Sequence, residues 1–231
     1  MILKIKKDLQ NLSSPSKARV YAGFFKTGKG EYGEEDVFLG ITVPDSRRIA
    51  IKYRILPFAE IKKLLYSKIH EERLVALLIL VHNFQKGSPD ERKSIFNFYL
   101  ENLAYVNNWD LVDLSADKII GSYLLDKDKM LLYKLAKSKN LWERRISMIA
   151  TYTFIKNKDF EDALRISEML LDDEHDLIHK AVGWMLREVG NRNLKAEESF
   201  LNKHYKEMSR TTLRYAIEKF PEEKRNFYLR K

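Results

Sequence analysis

An all-α chain built from helical hairpins is what three features of this sequence predict. Apolar residues recur with helical spacing along most of the 231 residues. With only 9 Gly and 5 Pro, the chain has few turn residues for a fold of many short strands. Similar helix openings also return at a nearly constant interval, the mark of a repeat array. The whole chain, residues 1–231, reads as one domain.

Taken in order, residues 2–12 form an amphipathic helix that ends at Ser13, Ser14 and Pro15, and residues 16–25 form a second. Lys26 to Asp36 is the longest loop, with three glycines and mixed charge. It reads either as a solvated surface loop or as a mobile lid or phosphate cradle; it lacks the order of residues of a P-loop. Phe38 to Ile41 closes it, and Thr42 to Ser46 opens a helix bearing Arg47, Arg48, Lys52 and Arg54. Pro57 starts another. Residues 70–86 are apolar on most sides and predict a buried helix. Ser88-Pro89-Asp90-Glu91 has the form of a capping box with Pro at the first helical position. Helices joined by short polar turns continue to the end.

The segment NNWDLVDLSADKIIGSY, Asn107 to Tyr123, predicts a helix capped by Asn107 or Asn108. Asp110 sits in its first turn, where the helix dipole favours an anion. Trp109 and Asp113 are four apart and share a face with Val112, Ala116, Ile120 and Tyr123. A carboxylate on such a stripe is costly unless something uses it. The opposite face is also partly apolar, so periodicity alone does not orient the segment.

A basic residue precedes an apolar run at Arg73, Arg145, Lys180 and Arg214, with separations of 72, 35 and 34. Half of the first interval falls on Trp109, so the period is about 35. Helix pairs of this size stack into a curved solenoid of the general HEAT type, whose concave face takes one helix from each pair. The basic positions would then form a row able to follow a phosphate backbone; the simpler reading is that each is a solvated position near a helix start. The net charge of +9 points the same way, towards a polyanionic partner.

Several classes are disfavoured. With no Cys, the chain has no disulfide, thiolate nucleophile or cysteine-held metal. His175 and His179 are four apart but have no third ligand candidate nearby, so a solvated or capping role is expected. No apolar run is long enough to span a membrane, and the amino-terminal stretch does not read as a signal peptide. These signs fit a cytoplasmic, nucleoid-associated protein with no cofactor.

The segments FLGITVP, NNWDLVD, LWERR and HKAVGWMLRE, in this order, make the chain resemble the DNA alkylation repair family of HEAT-like DNA glycosylases, the AlkD-like proteins, roughly from Ala18 to Phe220. The resemblance implies a C-shaped solenoid holding duplex DNA. It implies a monomeric, monofunctional glycosylase that excises cationic N3- and N7-alkylated purines without flipping the base, in base excision repair. It implies that Asp113 is the catalytic carboxylate, that Trp109 packs against the damaged nucleotide's backbone and that Arg145 holds a phosphate near the lesion. Trp184 and Arg187 would contact DNA, alongside Lys180 and Arg214 of the basic row. Some members carry Trp where this chain has Asn108, read here as a change of cap. The loop at 26–36 is longer than in compact members.

The residues fit that chemistry. A cationic alkylpurine is already a good leaving group, so one carboxylate in an aromatic cleft can stabilise the oxocarbenium-like sugar and orient water. The usual carboxylate pair of sugar hydrolysis is unnecessary. Trp142 is expected to pack in the core. The competing class is a non-catalytic repeat module that binds nucleic acid or protein.

Overall fold

The computed structural model describes residues 1–230, and it is helical with no strand among them. Contacts divide the chain into two compact units, one spanning Met1–Ile119 and one starting at Ile120. The first holds α1 (Ile2–Asn11), α2 (Pro15–Phe24), α3 (Val43–Lys52), α4 (Phe58–Leu65), α5 (His70–Lys86), α6 (Pro89–Glu101) and α7 (Trp109–Asp113). The second holds α8 (Ser122–Leu124), α9 (Met130–Ala136), α10 (Leu141–Ala150), α11 (Tyr152–Lys156), α12 (Glu161–Met169), α13 (Asp176–Gly190), α14 (Leu194–His204), α15 (Arg210–Ala216) and α16 (Glu222–Leu229).

Each unit is organised on one buried helix. In the first it is α5, whose residues 70–81 are all buried, with α3, α4 and α6 packed on it. In the second it is α13, against which α10, α12, α14 and α15 pack. Gly183 permits the close approach of α15: a Cβ there would lie 2.5 Å from the Thr212 carbonyl oxygen.

Local chemistry sets the helix starts. Thr42 and Asn140 accept backbone N–H groups as caps, and Ser88 with Glu91 makes the predicted capping box. His175 caps α13 by accepting the Leu177 N–H, in keeping with the capping role expected of it. Trp142 is buried, as expected of a core residue.

One expected element is different. Asn107 to Tyr123 is not a single helix: α7 ends at Asp113, a turn follows, and Asp117–Gly121 winds as a π-helix. Ser115 shows why. Its hydroxyl bonds back to the Leu111 carbonyl at 2.5 Å and meets the Tyr99 hydroxyl at 2.8 Å, which opens the backbone ladder at this point.

Candidate active site

In the first unit the WDLVD segment is a helix of little more than one turn, too short to hold itself in place. Its position comes from buried polar anchors. Asn108 accepts the Trp109 N–H through Oδ1 at 2.8 Å and donates from Nδ2 to Asp36 at 2.8 Å. Asp110 accepts the Leu111 N–H through Oδ1 and bonds to His70 Nε2 through Oδ2, both at 2.8 Å. His70 Nδ1 lies 3.0 Å from Asp36 Oδ2. Arg73 completes the set with bonds to Asp36 at 2.5 Å and to the Ser67 carbonyl at 2.9 Å.

Burial of His70 would push its pKa down. The charge of Asp110 and hydrogen bonds to both carboxylates outweigh it and raise the value to about 9, so the ring is an imidazolium donating from both nitrogens. Burial likewise works against an ionised Asp36, but His70 and Arg73 hold its carboxyl below the usual range.

Aromatic rings form the wall beside these anchors. Trp109 lies flat on Phe25, with centroids 5.0 Å apart, Phe25 stacks on Phe38 at 4.8 Å, and Phe38 on His70 at 4.5 Å. Phe38 is kept in register by Glu71, a buried carboxylate that accepts the N–H groups of Leu39, Gly40 and Ile41. Gly40 has φ +80°, and a Cβ there would meet the Ser14 carbonyl at 2.3 Å. The wall bounds a cleft of about 340 Å³ whose lining includes Tyr21, Phe24, Val43, Trp109, Asp113 and Leu114. Trp109 and Asp113 are each half-buried, and both line this largely apolar cleft.

The loop at 26–36 offers no phosphate cradle. Its Gly28 and Gly30 N–H groups are taken by Glu31 and Glu34 of the same loop, and its end is fixed by Asp36. Its exposed stretch fits the surface-loop reading, while Gly33 is buried and the Asp36 side chain is sealed inside. Arg73 is likewise no cation for a ligand: it is 3% exposed and committed to Asp36. The expected basic row therefore loses that position.

In the second unit Arg145 is 4% exposed, and one of its terminal amines donates to the Leu177 carbonyl. Its neighbour Arg144 grips Asp173 from Nε at 2.6 Å. Lys180, Trp184 and Arg187 are half-buried on α13 at helical spacing. Lys180 pairs with Asp176 at 2.7 Å and Arg187 pairs with Glu218, whereas Arg214 is exposed on α15. Trp184 sits beside Tyr152 at 5.9 Å, and Lys156 and Arg192 lie over the Tyr152 ring at 4.6 and 5.7 Å. Sequence reasoning missed Tyr152, although its spacing of seven from Arg145 was a usable signal.

The observed helix starts also refine the phase of the repeat. Arg145, Lys180 and Arg214 each stand four residues after the first residue of their helix; in α7 that register is held by Asp113.

Comparison with known proteins agrees with this architecture. A family model described as DNA alkylation repair enzyme matches residues 5–220. A structure described as a predicted DNA alkylation repair enzyme from Enterococcus faecalis is similar at a TM-score of 0.69 and 18% identity, over 91% of this chain and 97% of that one. AlkD2 from Streptococcus mutans is similar at a TM-score of 0.56 and 17% identity, over 96% of this chain and 97% of that one. No curated protein sequence matches.

Proposed function

Because the chain belongs to the DNA alkylation repair enzyme family, we propose that it is a monofunctional DNA glycosylase releasing cationic N3- and N7-alkylated purines from duplex DNA without flipping the base. The observation that carries this reading is Asp113, half-buried beside Trp109 on the wall of an aromatic cleft.

The chemistry follows from what such a carboxylate can do. Alkylation at a purine ring nitrogen leaves the base positively charged. As the glycosidic bond breaks, its electron pair returns to the base and neutralises it, so no acid is needed. The positive charge passes to the sugar, where the Asp113 carboxylate stabilises it electrostatically. Water then adds to the anomeric carbon and loses a proton, for which Asp113 is the nearby acceptor. The faces of Trp109 and Phe24 favour a cation in the same cleft. In the second unit, Lys180, Arg187 and Arg214 supply charge for phosphates, with Trp184 as an apolar surface beside them. Arg145 enters this reading as a buried cation held by the Leu177 carbonyl. The protein acts as a monomer on chromosomal DNA in the cytoplasm, as the first step of base excision repair.

The test is base release from a duplex carrying one N7-methylguanine. Wild type is expected to release the base. Asp113→Asn is expected to lower release by at least about a hundredfold, the scale for loss of an electrostatic stabiliser, with DNA affinity kept. Undiminished release by the variant would remove Asp113 from this role. Absence of release by wild type, with salt-dependent DNA binding intact, would make the chain a binding module.

A further inference from the structure

We propose that His70 is a positioning residue for the active site: it clamps α7 between Asp110 and Asp36 and so fixes where Asp113 stands. This rests on the glycosylase reading above. The argument is geometric. Helix α7 has one turn, and both of its polar anchors, Asn108 and Asp110, lead to the same buried pair. Asn108 reaches Asp36 directly, while Asp110 reaches it through the His70 ring, with 2.8 Å on one side and 3.0 Å on the other. Asp113 lies three residues after Asp110 on that turn, so a shift of Asp110 moves the carboxylate in the cleft.

The clamp is also the floor of the aromatic wall. His70 stacks under Phe38 and lies 5.1 Å from Phe25, which in turn stacks on Trp109. The ring therefore supports Trp109 through Phe25 and Asp113 through Asp110. The charged groups that bear on it are Asp110 from α7, Asp36 from the end of the loop, and Arg73 from its own helix. Glu71, next to it, is spent on three backbone N–H groups. The loop at 26–36 thus acquires a role: its last residue is half of the clamp.

The test compares wild type, His70→Gln and Asp110→Asn, the second being nearly isosteric and retained should the first fail to fold. Single-turnover release of N7-methylguanine is measured per folded molecule, alongside the Kd for undamaged duplex. Both variants are expected to slow release by about ten- to hundredfold, the cost of a misplaced reacting group, with Kd within twofold of wild type. Wild-type release is expected to decline as the pH passes about 9, where the His70 ring loses its charge; this limb should vanish in His70→Gln and move to lower pH in Asp110→Asn, which lacks the anion that raises the His70 value. Unchanged rates with only a lowered Tm would overturn the proposal, because a residue that merely stabilises the fold leaves the folded enzyme's rate alone. Absence of release by wild type would instead overturn the glycosylase reading, and the assignment of His70 with it.

Discussion

Glu71 and Glu197 are both buried carboxylates, and their surroundings set them opposite tasks. Glu71 accepts three consecutive backbone N–H groups and fastens the FLGI segment to α5. Hydrogen bonds to a charged acceptor are worth more than neutral ones, so Glu71→Gln, which keeps the shape but not the charge, is expected to cost about 2–3 kcal/mol in urea unfolding. Glu197 has one oxygen without a hydrogen-bond partner, and burial, with the nearby charge of Glu198 added, pushes its pKa up to about 8. Of these residues, sequence reasoning recovered those whose partners are close in the chain. Asn108 reads as a cap because the N–H it caps is one residue away. His70 passed unnoticed because Asp36 and Asp110 lie 34 and 40 residues from it, beyond any local pattern.

Among the elements, capped helices were the most legible. Thr42, Ser88 and Asn140 mark their starts by short-range hydrogen bonds that residue type alone forecasts. The interruption after Asp113 was not legible. Leu111, Val112, Ala116, Ile119 and Ile120 are all buried, so apolar residues occupy more than one face and the spacing does not mark the departure from helical winding. Packing between elements is equally hidden from periodicity, and Gly183 gives a test of it. Gly183→Ala would press a methyl group onto the Thr212 carbonyl and the Tyr215 Cβ, each 2.5 Å away. Intrinsic propensity favours Ala inside a helix by about 1 kcal/mol. Overpacking is expected to outweigh it and leave a net loss of about 1–3 kcal/mol, with a lowered Tm as the readout.

Over the whole molecule, two strongly raised values set the pH dependence of stability above pH 6.5. His70 has its pKa raised from 6.5 to about 9, so its contribution is complete below pH 6.5 and is lost as the pH rises through 9. Glu197, raised from 4.5 to about 8, acts with the same sign: the folded state keeps a proton that the unfolded chain releases, so stability falls between pH 4.5 and 8. Wild-type Tm is therefore expected to fall from pH 6.5 to 9; below 6.5 the lowered value of His175, caused by its burial, acts in the opposite sense. Glu197→Gln should flatten the lower part of that fall and His70→Gln the upper part, each by at most a few kcal/mol. A Tm that rose across this range would contradict both assignments. The all-helical class, the repeat period and the position of the WDLVD segment were legible because they are written in spacing; the basic row was only partly so, because spacing does not reveal that Arg73 is sealed against Asp36. The register that remains has a consequence of its own. Lys180 and Arg214 offer a cation at the fifth helical position, and α7 offers a carboxylate there. On the glycosylase reading proposed above, α7 thus presents a negative charge at the register where α13 and α15 present positive ones, so one inverted charge separates the residue that would stabilise a developing cation from those that would hold phosphates.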